Sequence, residues 1–417
     1  MKLVGAIVAA LILNLCVHAQ PAAVTVPITL DHNRTIIDAY LPLPDGTTKR
    51  VRAWVDNGNP DLWITQALAT QLGLPLSGDP KPALGGQQRS VQPPNHLQIG
   101  GMTISLAGIK EGQALLDRES VAPGCSAVIT IPSTVLRNFD VLFDYPNRQF
   151  TIGMPGSIPF KGESSKIILN SQSGLIQVAS KINGEEHNLA LDVGASFTLL
   201  SGELLAQWHK TQPSWPHMTG AIASANMWGA EEEAGWQLLR LPSIQFGAAT
   251  LKNVAAASFP AQYLKWFGNR AGVPTIGLIG ANALLDDRVG IDYAHSTIYL
   301  QRTNPTSAPD MDVVGVILRP ESGGSYTILG VADYDGKPSV ADLKAGDVLL
   351  GVDGAPATGA TMGQVWSLLG GAPGQTRTLT LEREGKRFTV DAPVRRFLAP
   401  MSRTPTKSPR RNPHRRN

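Results

Sequence analysis

Cysteine is almost absent from this sequence: the 417 residues contain only Cys16 and Cys125. Cys16 lies in an amino-terminal segment that is predicted to be removed, which would leave Cys125 alone. A single thiol cannot form an internal disulfide, so a small disulfide-stapled fold is excluded. The chain must instead be stabilised by its hydrophobic core, and we predict that Cys125 is a buried structural residue.

Long hydrophobic runs are also rare, and the sequence contains only one, at residues 3–16. Lys2 precedes this run and small residues suited to cleavage follow it, which is the pattern of a secretory signal peptide over residues 1–19. The run is too short to cross a bilayer comfortably, and a retained membrane anchor is the alternative. We therefore expect an exported protein, periplasmic or secreted, with no stable membrane span after the signal is removed.

Charge is sparse and unevenly placed. Charged residues make up 17% of the chain and the formal net charge is +3. Residues 401–417 carry six Lys and Arg side chains and no acidic residue, so the rest of the chain has a formal net charge of −3 (3 − 6). The positive charge therefore belongs to the carboxy-terminal tail, and we predict no nucleic-acid partner for the folded part. The composition of the tail is typical of a disordered segment.

Motifs for several common chemistries are missing. The sequence has no Gly-x-Ser-x-Gly, no His-Glu-x-x-His and no phosphate-binding glycine loop after a predicted strand. Its eight histidines are scattered without the spacing of metal ligands. We therefore predict neither a metal site nor a cofactor.

Glycine and proline are frequent, with 42 and 31 residues, which favours a turn-rich β fold. A weak internal repeat follows from three pairs of similar segments that occur in the same order. Each copy is predicted to contain a hairpin, an aspartate, an apolar strand and a short helix. The paired segments are 51–65 with 187–201, 97–104 with 244–251, and 139–153 with 287–301.

The aspartates of the first pair of segments are Asp56 and Asp192, and each stands two residues before a glycine at the end of an apolar strand. If the two lobes pack face to face, the two turns meet. Carboxylates about 3 Å apart cannot both ionise at ordinary pH, so one keeps a proton while the other acts as a base. Such a pair can activate a water molecule for attack on a peptide carbonyl. Taken singly, an aspartate before a glycine is usually only a turn residue.

These features resemble the retropepsin-like and pepsin-like aspartic proteases. The resemblance is carried by the two Asp-x-Gly turns and by residues 277–293, in which Leu278-Ile279-Gly280 is similar to the strand that runs beside the catalytic turn in that family. It implies a mainly β, two-lobed, pepsin-like β-barrel pseudo-dimer in which Asp56 and Asp192 are catalytic. It also implies a polypeptide substrate, no cofactor, and a monomer, since one chain supplies both aspartates.

The sequence departs from the family at the middle position of each turn, where the family has threonine or serine. Asn57 can still donate and accept hydrogen bonds across the lobes, whereas Val193 cannot. The alternative function is therefore a catalytically inactive protein that binds peptides in the protease groove, in a carboxy-terminal domain, or in both. Trp228 and Trp236 could line that groove or could pack on the second lobe.

Residues 313–398 resemble a PDZ domain of the type associated with bacterial proteases, most specifically at 342–354, where an Ala-Gly-Asp loop precedes a strand and a turn. PDZ domains capture the carboxylate of an extended peptide with backbone N–H groups of a short loop. The resemblance places that loop at Val314, Gly315, Val316 and Ile317, and implies a protein carboxy-terminus as a partner. The alternative is a PDZ domain that packs on the lobes and binds no free peptide.

The predicted organisation has six parts. They are a signal peptide (1–19), a first aspartic-protease-like lobe (20–156), a second such lobe (157–303), a linker (304–312), the PDZ domain (313–398) and a disordered basic tail (399–417).

Overall fold

The computed structural model describes residues 21–83, 86–220, 222, 231–303 and 311–399. The predicted signal peptide, most of the predicted linker and all of the tail beyond residue 399 lie outside the described residues. Strands dominate these described residues, and the five α-helices among them are short. No helix in the described ranges is both long enough and apolar enough to span a membrane.

The first lobe is a sheet of ten strands whose central pairs, β4 with β11 and β5 with β10, are parallel. The long hairpin of β3 and β4 turns at Asp45-Gly46, where Gly46 has a φ of 82° and Asp45 accepts a hydrogen bond from the Thr47 amide. The elements of this lobe are β1 (Ala23–Pro27), β2 (Thr29–Asp31), β3 (Arg34–Pro42), β4 (Thr48–Asp56), β5 (Trp63–Thr65), α1 (Gln66–Gln71), β6 (Leu76–Ala83), β7 (Gly86–Val91), β8 (His96–Ile99), β9 (Met102–Ser105), β10 (Gly112–Leu116), β11 (Ile129–Pro132), α2 (Ser133–Leu136), β12 (Asp140–Asp144) and β13 (Gln149–Gly153).

The second lobe repeats this plan with eight strands, and here the pairing of β16 with β20 closes the sheet into a barrel. Its parallel pairs are β17 with β22 and β18 with β21. The elements are β14 (Glu163–Lys166), β15 (Ile168–Leu169), β16 (Ile176–Ile182), β17 (Glu185–Leu191), β18 (Thr198–Ser201), α3 (Gly202–Thr211), β19 (His217–Thr219), β20 (Gln237–Phe246), β21 (Ala249–Phe259), α4 (Ala261–Ala271), β22 (Gly277–Ile279), β23 (Asp287–Asp292) and β24 (Thr297–Arg302), with 3₁₀ turns at Glu231–Gly235 and Ala281–Ala283.

A third sheet joins the two lobes. Its six strands are ordered β1-β13-β12-β23-β24-β14, so three come from each lobe. The hairpins of the repeated segments 139–153 and 287–301 meet at its centre, where β12 and β23 pair antiparallel from Asp140 opposite Asp292 to Asp144 opposite Arg288. This sheet fixes the two lobes relative to each other.

The carboxy-terminal unit is a smaller β structure with one helix. Its main sheet is ordered β26-β27-β30-β32-β33, and α5 begins with a capping box formed by Thr361 and Gln364. The elements are β25 (Asp312–Val313), β26 (Val316–Pro320), β27 (Tyr326–Val331), β28 (Asp333–Tyr334), β29 (Lys337–Pro338), β30 (Val348–Val352), β31 (Ala355–Pro356), α5 (Met362–Leu369), β32 (Thr376–Arg383), β33 (Lys386–Pro393) and β34 (Arg395–Arg396).

This unit packs against both lobes. The Gly363 amide donates to Asp31 at 3.0 Å and the Met362 amide donates to the Gly124 carbonyl at 2.7 Å, which ties α5 to the first lobe. On the second lobe, the buried side chain of Met218 belongs to the same hydrophobic cluster as Ile317. The three parts of the chain therefore share continuous cores.

Candidate active site

Asp56 and Asp192 occupy equivalent places in the two lobes. Asp56 is the last residue of β4, and Asp192 immediately follows β17. In each lobe a parallel strand runs beside the aspartate: Pro132 of β11 pairs with Asp56, and the Asp192 amide donates to the carbonyl of Ile279 at 3.0 Å. Because both strands are buried in the centre of their sheets, the aspartates have little freedom of position.

The two turns pack directly onto each other. A side chain on Gly58 would overlap the Asp192 carboxyl group, and a Cβ atom on Gly194 would lie 2.5 Å from the Asp56 Oδ1 atom. Each glycine is therefore needed because the opposite carboxylate occupies the space that any other residue would fill. The structure thus brings together the two aspartates that the sequence predicted as a pair.

Backbone amides hold both carboxylates in place. The Gly58 amide donates to Asp56 Oδ1 at 3.0 Å. The amides of Gly194 and Ala195 both donate to Asp192 Oδ1, each at 3.0 Å. These bonds orient the carboxyl groups and, since they favour the ionised form, they partly oppose the effect of burial.

Burial raises the pKa of both carboxyl groups, and repulsion from Asp192 adds to the rise at Asp56. Asp56 is 4% exposed and Asp192 is 9% exposed. Loss of solvent, followed by repulsion from Asp192, raises the pKa of Asp56 well above its usual value. Burial raises the pKa of Asp192 to about 6, against the lowering effect of its backbone hydrogen bonds. Because the two carboxyl groups lie in contact, one of them retains a proton when the other ionises.

Asn57 links the two turns across the lobes. Its Nδ2 donates to the Leu191 carbonyl at 2.9 Å, and its Oδ1 accepts from the Val193 amide at 2.8 Å. Asn57 is fully buried, so both bonds form away from water. The side chain of Val193 has no polar atom and packs in the main core. The link is therefore made from the first lobe only.

A cavity of about 290 Å³ lies beside the aspartates and is lined by both lobes. Its walls are mainly apolar, and they include Trp266, which is 39% exposed. Such a cavity suits a large apolar group next to the two carboxyl groups. The aromatic side chains that line it are Trp54, Trp63, Phe259, Tyr263, Trp266 and Phe267.

Sequence reasoning missed these aromatic residues, although two signals were available. Trp54 stands two residues before Asp56 in β4, and alternate residues of a strand share a face. Tyr263, Trp266, Phe267 and Arg270 are spaced by three or four residues, which places them on one face of a helix. Trp236, considered for the groove, instead packs in the core shared with the carboxy-terminal unit, and Trp228 lies outside the described residues.

The hairpin of β6 and β7 covers one side of the cavity, to which it contributes Ala83 and Gln88. Within the ranges that the structure describes, no group of three or more histidine, cysteine or acidic residues is arranged to hold a metal ion.

The residues predicted to bind a peptide carboxylate lie in the carboxy-terminal unit, and none of them lines the cavity. Val314, Val316 and Ile317 are buried. The Val314 amide donates to the Leu369 carbonyl at 3.0 Å. Gly315 faces Ser339 and Phe397, and a Cβ atom there would lie 2.5 Å from the Phe397 ring. This segment is thus packed inside the fold.

Comparison with known proteins finds a similarity to a protease family within the second lobe. Residues 178–283 match a family described as aspartyl protease. The matched span includes Asp192 and Gly280 but not Asp56. No curated protein matches the sequence. Among solved structures, the crystal structure of aspartic proteinase from Irpex lacteus is similar over 69% of this chain and 99% of that chain, with 14% identity and a TM-score of 0.43.

Proposed function

We propose that the protein is an aspartic endopeptidase in which Asp56 and Asp192 form the catalytic pair. The observation that carries this proposal is the reciprocal packing of the two turns, in which each glycine lies against the carboxylate of the other lobe. The aspartyl protease match over residues 178–283 supports it independently for the second lobe.

In the proposed mechanism the ionised carboxylate of Asp192 accepts a proton from a water molecule, whose oxygen attacks the carbonyl carbon of a peptide bond. The protonated Asp56 donates its proton to the carbonyl oxygen, which gives a neutral tetrahedral diol. The diol then collapses: one hydroxyl proton passes to Asp56, the proton on Asp192 passes to the leaving nitrogen, and the carbon–nitrogen bond breaks. Both aspartates return to their starting protonation states.

We also propose that the carboxy-terminal unit, which resembles a PDZ domain in sequence, packs on the lobes and binds no free peptide through residues 314–317. Its support is the burial of Val314, Val316 and Ile317 together with the hydrogen bonds that tie α5 to the first lobe. The proposal extends to an exported, monomeric protein, with export resting on the signal-like segment and the monomer on the presence of both aspartates in one chain.

A peptide-binding protein without hydrolysis is the second candidate function. The observation that favours it is Val193, which leaves the link between the turns one-sided. Its groove would be the same aromatic cavity.

Cleavage of an unfolded polypeptide by the mature chain, measured between pH 4 and 8, tests the proposal. Asp56→Asn and Asp192→Asn should each reduce cleavage by about 10²–10⁴-fold, the usual contribution of general acid–base catalysis. Asp335→Asn is the matched control, because Asp335 is exposed in a turn at a φ of 54° that asparagine also adopts. Peptide binding without cleavage at any pH would favour the second candidate.

A further inference from the structure

An ion pair joins the two lobes at the edge of the aromatic cavity. Arg270 Nη1 of α4 lies 2.9 Å from Asp61 Oδ2, which belongs to the first-lobe loop between β4 and β5. Both residues line the cavity that contains Asp56 and Asp192. Where two side chains from opposite walls are in hydrogen-bonding contact, no peptide chain can pass between them.

The position of Arg270 is fixed from two further directions. Its guanidinium group lies 4.6 Å from the centre of the Trp266 ring, which is a cation–π distance. Its carbonyl accepts a hydrogen bond from Ser173 Oγ at 2.9 Å, and the Ser173 carbonyl in turn accepts one from Ser133 of the first lobe at 2.6 Å. Arg270 therefore lies at an interface where the two lobes are already in contact.

Separating the two side chains of the ion pair costs little free energy. Both side chains are 38% exposed, and ion pairs at this level of exposure contribute little to stability because water and salt screen them. The cavity itself, at about 290 Å³, is at the lower end of the sizes that hold a small ligand. A short peptide can end inside it, whereas a long chain must continue past its edge.

We propose that Asp61 and Arg270 are specificity-determining residues: their ion pair closes one edge of the cavity, so that short peptides bind with the pair intact and long polypeptides bind only when it parts. This inference rests on the proposed function, since the ligand is taken to be a polypeptide. It deepens that function by naming the residues that discriminate by length.

The test measures binding in the Asp192→Asn variant, so that it does not depend on hydrolysis. The probes share a central Phe-Phe and contain about 4 or about 20 residues, spanning roughly 13 and 65 Å when extended. Tryptophan fluorescence reports binding, because Trp54, Trp63 and Trp266 line the cavity. Asp61→Asn removes the first-lobe partner of the ion pair, and Arg270→Met removes the second-lobe partner. Methionine keeps an unbranched apolar side chain beside Trp266.

Each single change should tighten binding of the long peptide two- to five-fold and leave that of the short peptide unchanged. Exchanging the charges, with Asp61→Arg and Arg270→Asp together, should restore the original ratio between the affinities for the long and the short peptide. Raising the salt concentration should reproduce the effect only where the pair is present. The proposal is overturned if both single changes leave the long peptide unaffected, weaken its binding, or alter both peptides equally. Absence of cleavage by the unmodified chain would count against the proposed function and leave this binding result standing.

Discussion

At the scale of single residues, the site depends on one asparagine. Asn57 satisfies a carbonyl and an amide of the opposite turn, Leu191 O and Val193 N, with the two ends of one side chain. The sequence identified this possibility because an amide group both donates and accepts. It could not indicate that Val193 would be packed in the core, or which backbone atoms of the opposite turn Asn57 would contact.

Asn57→Ala should destabilise the fold by roughly 2–4 kcal/mol, because it leaves a buried carbonyl and a buried amide without partners. Cleavage should fall together with stability, since the two carboxyl groups are no longer held at a fixed separation. Urea unfolding and kcat/KM measure the two effects. Asn57→Thr is the control: its hydroxyl group can also donate and accept, and it should retain most of both properties. Equal behaviour of the alanine and threonine variants would contradict the assigned role.

The raised pKa of Asp192 makes a prediction about stability. A carboxyl group whose pKa is higher in the folded than in the unfolded protein binds its proton more tightly when folded. Its contribution to stability is complete below the unfolded value of 3.8 and is lost as the pH rises through about 6. Asparagine cannot ionise, so Asp192→Asn avoids this loss of stability. The variant should be more stable than the unmodified chain by about 3 kcal/mol at pH 7.

Urea denaturation at pH 4, 5, 6 and 7 measures this difference, which should grow with pH and then level off. Asp335→Asn, on the surface of the carboxy-terminal unit, should show no such trend. A stability difference that is constant across the pH range would show that the Asp192 carboxyl group is not perturbed by burial.

At the scale of elements, the glycines of the two turns set how closely the lobes approach. Gly58→Ala should abolish detectable cleavage and destabilise the fold, because the new methyl group would overlap the Asp192 carboxyl group. Gly108→Ala provides the matched control, since a side chain there meets no atom within 4 Å. Full activity of Gly58→Ala, measured on the same polypeptide substrate, would mean that the turns do not pack as described.

Some of the helices could be predicted from the sequence and others could not. The short helix predicted for each copy of the repeat corresponds to α1 (Gln66–Gln71) in the first lobe and α3 (Gly202–Thr211) in the second. Helix α4, which supplies three aromatic residues and Arg270 to the cavity, was not predicted. Gly272 ends it at a φ of 82°, a usual signal for a helix carboxy-terminus. Its orientation toward the first lobe follows from tertiary packing, which no local pattern contains.

At the scale of the whole molecule, the lobes and the carboxy-terminal unit are joined through shared cores. One hydrophobic cluster contains residues from both lobes, and a second contains residues from the second lobe and the carboxy-terminal unit. The repeat in the sequence indicated two similar lobes, but strand pairing between β12 and β23 could not be read from it. Such pairing joins residues about 150 positions apart and has no local signature.

The shared cores predict that the chain unfolds as one unit. Scanning calorimetry of the protein should give a single transition whose calorimetric and van't Hoff enthalpies agree. Asp31→Ala, which removes the acceptor of the Gly363 and Ser126 amides, should lower the temperature of the whole transition. Two separate transitions, with only one of them shifted, would indicate that the carboxy-terminal unit folds independently of the lobes.

The proposed active site depends on two carboxyl groups that share one proton, and a titration observes this most directly. Carbon-13 NMR of the Asp56 and Asp192 carboxyl carbons, assigned with the two asparagine variants, reports the ionisation of each group. We predict that both groups titrate above the ordinary range of an aspartate, with Asp192 ionising near pH 6. Ionisation of both groups together near pH 4 would contradict the shared proton, since two charged carboxylates could not lie in contact within a buried site.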